Sequence, residues 1–165
     1  ARALNELVPL ALKKFTDDSI LVTHQCGKGN SDKVKALYES ASFKVEATDF
    51  IDNMDALYAN TDLIICRAGA LTVAETSTAG IPAIFVPLPT AVDDHQTKNA
   101  SVLAKAGAAF VCKQSSLSAD SLYDLVKSLV DDREKLAFMS AKAYECAITD
   151  ATELAVKIIE SVVKD

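Results

Sequence analysis

Short apolar runs alternate along the chain with segments in which apolar residues recur every three or four positions. The runs are short, continuous and rich in β-branched residues, which is typical of strands buried on both faces of a parallel sheet. They predict five strands, at 20–23, 45–48, 63–66, 83–86 and 108–111, with helices between them near 31–41, 54–60, 71–79 and 96–106. This alternation predicts an α/β fold, a Rossmann-like parallel sheet flanked by helices.

The two ends of the chain depart from this alternation. Residues 1–8 already have a helical pattern, so the chain begins inside an element, which suggests a fragment of something longer. After the fifth strand a polar loop is followed by three predicted helices, at 122–130, 131–145 and 149–163. The last helix has an apolar face that needs a partner surface, formed by Leu154, Ile158, Ile159 and Val162.

Residues that favour helix ends mark several boundaries. Asn30 or Ser31 is the predicted cap of the helix near 31–41, and Ser118 or Asp120 the cap of the helix at 122–130. Gly80 and Gly107 are predicted to end the helices that precede the fourth and fifth strands.

Composition narrows the classes of protein. The 165 residues are 50% hydrophobic and 24% charged, as in a globular protein, and we predict a single domain over 1–165. The net charge of −6 argues against a nucleic-acid partner and against docking of this segment on anionic lipid. The four widely separated cysteines form no CxxC pair or zinc-spaced cluster, which favours reduced thiols in a cytosolic protein. We predict no cofactor. No apolar stretch is long enough to span a bilayer, and no signal peptide is visible.

The segment that follows the third predicted strand has the strongest chemical pattern. Ligands of parallel α/β sheets bind where strands end, and here Gly69 would let a ligand approach the backbone closely. The N–H groups at the helix start could bind a diphosphate, namely those of Ala70, Leu71 and Thr72. Glu75, one turn further, could accept hydrogen bonds from a ribose diol. An equally physical alternative is a capping box formed by Thr72 and Glu75, with Gly69 as a tight turn.

The loop after the fourth strand is stiffened by prolines and then rich in hydrogen-bonding groups. His95, Gln96 and Asn99 would share the first turn of the next helix and suit the hydroxyl groups of a sugar. The alternative is that Asp93 or Asp94 caps this helix and leaves His95 exposed. A metal site at His95 is disfavoured because no second ligand lies at helical spacing, and no nucleophile has a matching base.

Two further strand ends carry weaker signals. Residues 24–29 are glycine-rich but lack the spacing of a nucleotide-binding Walker loop, and His24 is more often structural than a ligand contact in such a position. After the second strand, Ile51 could present its backbone N–H and C=O to a planar base, with Phe50 or Met54 packing nearby. The alternative is a plain helix start capped by Asp52 or Asn53.

In this order and spacing the segments resemble the C-terminal, donor-binding lobe of the MurG-type N-acetylglucosaminyltransferases, which have a GT-B fold. The resemblance covers roughly the first two-thirds of the chain in detail and the remaining helices in character. The matching segments are 1–5, 24–28, 50–54, 66–75, 80–82 and 87–89, together with Asp94-His95-Gln96 and Asn99-Ala100.

The resemblance implies a function for each candidate residue. The family transfers GlcNAc from UDP-GlcNAc, with inversion, to MurNAc on a polyprenyl diphosphate in peptidoglycan synthesis, a part of cell-wall growth and cell division. Ile51 would bind uracil through its backbone, Glu75 the ribose, and the start of the fourth helix the diphosphate. The GlcNAc would lie against His95 and Gln96, with Asn99 in support, whereas Arg67 is expected to be structural.

The sequence lacks two parts of the family pattern. A strand with a Gly-Gly-Ser-Gln-Gly loop should precede residue 1, so we expect an incomplete chain or a gap in its sheet. The N-terminal lobe, which in the family carries the acceptor site, the membrane contact and the expected catalytic base, is also missing. We therefore predict no catalytic residue in this chain, no activity in isolation, and a full-length cytoplasmic enzyme that is peripheral on the inner face of the bacterial plasma membrane.

Three other hypotheses remain open at this stage. The chain could be a natural donor-binding subunit of a split GlcNAc transferase. It could be a UDP-GlcNAc 2-epimerase-like domain, although the acid and base residues that this reaction needs are not evident. It could also be an α/β interaction domain without a ligand, which leaves the residues at the strand ends unexplained.

Overall fold

The computed structural model describes residues 1–163, apart from the side chains of residues 92, 151, 154, 162 and 163. All five predicted strands are present, each within two residues of its expected ends. The strands are β1 (Leu21–Gln25), β2 (Lys44–Thr48), β3 (Ile64–Cys66), β4 (Ala83–Phe85) and β5 (Ala109–Val111). The helices are α1 (Arg2–Leu12), α2 (Ser31–Leu37), α3 (Met54–Tyr58), α4 (Ala70–Thr78), α5 (His95–Lys105), α6 (Ala119–Val130) and α7 (Arg133–Val163), with short 3-10 turns at Val92–Asp94 and Gln114–Ser116.

The chain divides into two compact units. Unit 1 contains Ala1–Leu57 and Ser116–Arg133, and unit 2 contains Tyr58–Ser115 and the residues from Glu134 onward. In unit 1, β1 pairs in parallel with β2, from Leu21 opposite Lys44 to Gln25 opposite Thr48. In unit 2, β4 lies between β3 and β5, and both pairings are parallel. The predicted α/β class with parallel strands is confirmed, and the strands form two sheets rather than one continuous sheet.

The core of unit 1 includes the contact between its first and sixth helices. The apolar face of α1 is buried, and α6 contributes Leu122, Val126 and Leu129. Phe15 and Tyr123 meet edge to face, with ring centroids 5.1 Å apart. The predicted Ser118 cap is confirmed, because its hydroxyl accepts from the N–H of Ser121 in a reciprocal capping box.

The core of unit 2 is built on its central strand. Every residue of β4 is fully buried, as a strand covered on both faces should be. Gly80 and Gly107 follow the ends of α4 and α5 with φ of +65° and +84°, which confirms their predicted roles. Gly80 has a second reason to be glycine, since a Cβ there would lie only 2.1 Å from the Tyr144 ring.

Two predictions about the helices are corrected. The helices expected at 131–145 and 149–163 are one helix, α7, because Cys146, Ala147 and Ile148 contain no glycine or proline to interrupt it. Ile158 and Ile159 of its expected apolar face are exposed, while the side chains of Leu154 and Val162 lie outside the described residues.

Asn30 is the N-cap residue of α2 but makes no side-chain cap. That helix start is instead satisfied by Asp49.

Candidate functional site

The start of α4 is the predicted diphosphate site, and the structure leaves it without a side-chain cap. The helix begins at Ala70, with Gly69 as its N-cap residue. Thr72 therefore lies inside the helix, so the capping box considered for Thr72 and Glu75 does not form. Within residues 1–163 no capping side chain satisfies the first-turn N–H groups of Ala70, Leu71 and Thr72. This end of the helix can accept an anion, because its N–H groups and dipole both favour negative charge.

Gly69 is not required by the backbone conformation or by packing. Its φ of −61° and ψ of 147° are open to any L-residue. A Cβ at this position would meet only Thr72 Oγ1 within 4 Å, at an ordinary 3.9 Å. The tight-turn alternative is therefore wrong, and what the glycine provides is open space beside the helix start.

Two side chains of α5 hold the residue before this glycine. Gln96 Oε1 accepts hydrogen bonds from the N–H groups of Ala68, at 3.3 Å, and Leu88, at 2.9 Å. Asn99 Nδ2 donates to the carbonyl of Ala68 at 3.2 Å. The loops after β3 and β4 are thus joined through Gln96. Since its oxygen is engaged, its NH₂ group is the part that can face a ligand.

Arg67 joins the loops that follow all three strands of unit 2. Its Nη1 donates to the carbonyls of Val86 and Pro87, at 2.9 and 3.1 Å. Its Nη2 donates to Gln114 Oε1 at 2.6 Å, and its Nε is buried with no hydrogen-bond partner within residues 1–163. These contacts fit the structural role expected for Arg67.

Glu75, the predicted ribose contact, lies exposed on α4 and has a partner that sequence reasoning missed. The hydroxyl of Tyr58 donates to Glu75 Oε2 at 3.2 Å. Burial and the neighbouring Glu75 carboxylate raise the pKa of Tyr58 to about 12, so the phenol is a protonated donor at neutral pH. The two residues are 17 positions apart and belong to different helices, so no local pattern could have linked them.

The backbone before His95 has an unusual conformation. Asp93 and Asp94 have φ of 51° and 54°, in the left-handed region that non-glycine residues seldom adopt. Asp94 is the N-cap residue of α5 but makes no side-chain cap, so the aspartate cap considered as the alternative does not form there. His95 is exposed, as that alternative expected, and its Nε2 lies 4.0 Å from Asp93 Oδ2. Paired left-handed residues are typical of functional loops, where the surrounding structure holds the strain.

Ile51 belongs to unit 1, whereas the other seven predicted contacts belong to unit 2. Ile51 is partly buried and lies just before α3, and its neighbour Phe50 is 60% exposed. Asn53 Oδ1 accepts from the N–H of Ala56 at 3.0 Å, so the cap considered for Asn53 is confirmed. That cap uses neither backbone group of Ile51, whose assignment to a base remains a prediction.

His24 has the structural role that was the more common alternative. Asn5 Nδ2 donates to the carbonyl of Cys26 at 2.8 Å, which leaves Asn5 Oδ1 to accept from His24 Nε2 at 3.1 Å. His24 Nδ1 must then accept from the Tyr38 hydroxyl, also at 3.1 Å, so the hydrogen bonds run in one direction. Burial lowers the pKa of His24 to about 4 and keeps the ring neutral at pH 7.

The loop after β1 is closed by a carboxylate from the loop after β2. Asp49 accepts hydrogen bonds from the N–H groups of Gly29, Asn30 and Ser31, at 2.7, 3.2 and 3.0 Å. These bonds hold the pKa of Asp49 below its ordinary value. The helix start of α2 is therefore already satisfied by the chain itself.

Unit 1 also contains a cavity, which is separate from the predicted contacts. This cavity, of about 600 Å³, is lined by none of them. It is lined by Ala1, Arg2, Asn5, Glu6, Cys26, Gly27, Asn30, Lys33, Val34 and Leu37. Over the described residues, no group of three or more His, Cys, Asp or Glu side chains could hold a metal ion. Nor is any described helix long and apolar enough to cross a membrane.

Comparison with known proteins identifies the family to which this chain belongs. Residues 1–158 match the glycosyltransferase family 28 C-terminal domain, so the chain belongs to that family. It is 47% identical over 165 residues to the UDP-N-acetylglucosamine–N-acetylmuramyl-(pentapeptide) pyrophosphoryl-undecaprenol N-acetylglucosamine transferase of Thiobacillus denitrificans. That alignment covers 99% of this chain and 44% of the relative, so the chain spans less than half the length of this relative.

Solved structures support the same family and fold. The crystal structure of Acinetobacter baumannii MurG matches with a TM-score of 0.87 and 44% identity, over 97% of this chain and 48% of that one. The glycosyltransferase VinC, solved in complex with dTDP, matches with a TM-score of 0.60 over 98% of this chain and 38% of its own. At 21% identity the second likeness concerns the fold alone, which is that of GT-B glycosyltransferases.

Proposed function

We propose that the chain binds UDP-GlcNAc as the donor-binding part of an inverting N-acetylglucosaminyltransferase. The full-length enzyme would add GlcNAc to lipid-linked MurNAc-pentapeptide in peptidoglycan synthesis. The observation that carries the proposal is the uncapped start of α4, beside a glycine that neither backbone nor packing requires. Support comes from the relative in Thiobacillus denitrificans, whose name gives both the GlcNAc transfer and the undecaprenol-linked acceptor.

Each part of the donor has a proposed contact. The N–H groups of the first turn of α4 bind the diphosphate, and the Glu75 carboxylate accepts from the ribose hydroxyls. The exposed His95 and the NH₂ group of Gln96 contact GlcNAc, while Asn99 holds the carbonyl of Ala68 through a hydrogen bond. The backbone of Ile51 binds the uracil.

The chain's own contribution to the reaction is to orient the donor and to stabilise its leaving group. As the bond between the sugar C1 and the diphosphate breaks, negative charge grows on the departing UDP. The N–H groups and helix dipole at the start of α4 are fixed where that charge develops, which is how preorganised donors lower a barrier. The base that activates the acceptor hydroxyl, the acceptor site and any contact with the membrane are assigned to the rest of the full-length protein. We place that protein at the inner face of the bacterial plasma membrane, with a role in cell-wall growth and division.

Titration calorimetry tests this proposal directly. The folded chain should bind one UDP-GlcNAc without transferring or hydrolysing the sugar. His95→Ala should weaken UDP-GlcNAc by about three- to tenfold and leave UDP unchanged, since only the sugar contact is lost. Lys98→Ala, at an exposed position of the same helix, is the matched control. A folded chain that gives no heat with millimolar UDP-GlcNAc contradicts the proposal, and equal losses for both ligands remove His95 from the sugar site.

A further inference from the structure

The contact between Tyr58 and Glu75 has no part in the function proposed so far. Tyr58 is the last residue of α3, and Glu75 lies in the second turn of α4, with both residues in unit 2. Tyr58 Oη lies 3.2 Å from Glu75 Oε2, and Tyr58 is the hydrogen-bond partner that the described structure gives this carboxylate. The phenol ring is partly buried, whereas the carboxylate is exposed.

We infer that Tyr58 is a positioning residue that selects ribose, because its hydroxyl holds the Glu75 carboxylate in the orientation that receives the two hydroxyls of a nucleotide sugar ring. This inference rests on the proposed function, which gives Glu75 the ribose contact. It adds a positioning residue that the resemblance to other glycosyltransferases does not supply.

The helix that carries Glu75, α4, is already fixed by the residues on its buried face. Thr76 is fully buried, and its hydroxyl donates to the carbonyls of Thr72 and Val73 at 2.9 and 3.0 Å. The Ser77 hydroxyl donates to the carbonyl of Ala143 in α7 at 3.0 Å. The backbone at position 75 is therefore held, and the freedom that remains belongs to the glutamate side chain itself.

A single donor at one carboxylate oxygen suits this task. The bond to Tyr58 uses one lone pair of Oε2 and leaves Oε1 and the other lone pair of Oε2 to accept from the ribose 2′ and 3′ hydroxyls. An exposed glutamate without this bond samples several rotamers, and the bond to Tyr58 favours one of them. Because Tyr58 acts only through Glu75, its loss should weaken the recognition of the diol and leave contacts to the diphosphate intact.

The test compares UDP with 2′,3′-dideoxy-UDP by titration calorimetry. The unaltered chain should prefer UDP, and Glu75→Gln should abolish most of that preference. Tyr58→Phe, which keeps the ring and removes the hydroxyl, should weaken UDP about three- to tenfold and leave dideoxy-UDP unchanged. In the Glu75→Gln background the same Tyr58→Phe change should have no further effect on UDP.

The matched control is Tyr144→Phe, which removes a tyrosine hydroxyl elsewhere in unit 2, and it should leave the preference intact. A Tyr58→Phe chain that keeps the full preference for UDP, while Glu75→Gln loses it, overturns the inference and leaves the proposed function standing. An unaltered chain that binds both ligands equally, or a Glu75→Gln chain that keeps the preference, removes Glu75 from the ribose site; it overturns the inference and the ribose contact in the proposed function, whereas the failure of the whole proposed function would show as no binding of UDP-GlcNAc. Equal weakening of both ligands by Tyr58→Phe assigns Tyr58 a merely structural role and also overturns the inference.

A second variant covers the case in which Tyr58→Phe does not fold. Site-specific 3,5-difluorotyrosine at position 58 keeps the ring and the oxygen but lowers the pKa of the phenol. Raising the pH should then ionise the phenol, remove the donor and place a negative charge beside Glu75. The preference for UDP over dideoxy-UDP should fall with rising pH in this chain and not in the unaltered one. A preference that stays the same while the ultraviolet absorbance of the fluorinated phenol shows its ionisation overturns the inference.

Discussion

The starts of α2 and α4 are two versions of the same local arrangement, and they differ in what satisfies them. Each helix follows a parallel strand through a loop that contains glycine. At α2 the chain supplies its own anion, since Asp49 accepts from three consecutive backbone N–H groups. At α4 no side chain within residues 1–163 caps the first turn. A helix start that the protein satisfies itself is structural, whereas one left open can bind an external anion.

The glycines in the two loops differ in the same sense. Gly27 and Gly29 before α2 have φ of +80° and +74°, so the backbone itself requires glycine there. Gly69 before α4 has an ordinary φ and open space around it. The first pair is required by the fold of the loop, whereas the fold does not require the third, which is where the diphosphate is proposed to bind.

The largest expected effect comes from giving α4 the anion that α2 has. Gly69→Asp places a carboxylate at the N-cap, where aspartate is a better cap than glycine, so the unfolding temperature should stay the same or rise. The same carboxylate occupies the diphosphate position and repels the ligand, so UDP should bind at least about 100-fold more weakly. Calorimetry and thermal unfolding measure the two effects on one sample.

Gly69→Asn is the control for this change, because it adds a neutral cap of nearly the same shape. It should lose less affinity than Gly69→Asp, since the repulsion between charges is absent. If Gly69→Asp binds UDP as tightly as the unaltered chain, the diphosphate does not lie at the start of α4.

A smaller effect is expected on the stability of the chain at acid pH, and it depends on His24 in unit 1. Burial lowers the pKa of His24 in unit 1 to about 4, whereas in the unfolded chain the pKa is near its ordinary 6.5. Above pH 6.5 both states are neutral, and between pH 6.5 and 4 the unfolded state takes up the proton. The free energy of unfolding should therefore fall by about 1–3 kcal/mol as the pH drops through that window.

Chemical denaturation at several pH values checks this expectation. His24→Gln can accept from Tyr38 and donate to Asn5 without titrating, so its stability should change less over the same range. A decrease of the same size in both chains would assign the acid sensitivity to other groups.

The smallest expected effect is the converse of the first. Asp49→Ala removes the cap of α2, so the N–H groups of Gly29, Asn30 and Ser31 should exchange with solvent about tenfold faster. Asp49→Asn keeps an acceptor and should have an intermediate effect. Amide hydrogen exchange by NMR measures both, and unchanged protection in Asp49→Ala would mean that these hydrogen bonds do not stabilise the loop.

The elements of the fold were largely predictable because their signals are local. Runs of β-branched residues gave all five strands, and Gly80 and Gly107 marked helix ends through a conformation that only glycine adopts readily. The aspartate cap of α2 was not predictable, since Asp49 and Ser31 are 18 positions apart. The break expected near residue 147 was wrong, because the change in amphipathic pattern there is accompanied by no glycine or proline and the helix continues through it.

In the candidate site, too, the local features were predictable and the contacts between distant residues were not. Its position at strand ends followed from the topology of parallel sheets, and the pattern around Gly69 indicated the helix start. The partners of its side chains did not follow. Gln96 was assigned to the sugar, and the structure shows that its oxygen also joins two loops, while Tyr58 was not singled out at all.

The peptide groups of Ala68 are held on both sides, the N–H by Gln96 and the carbonyl by Asn99. A loop tied in this way has already lost most of its conformational entropy when the protein folds. A ligand bound beside this loop, as proposed above, would then not have to order it, so more of the interaction energy would remain as affinity. The side-chain amides of Gln96 and Asn99 thus fix the conformation of the loop before α4. Affinity maturation preorganises the binding loops of antibodies in the same way.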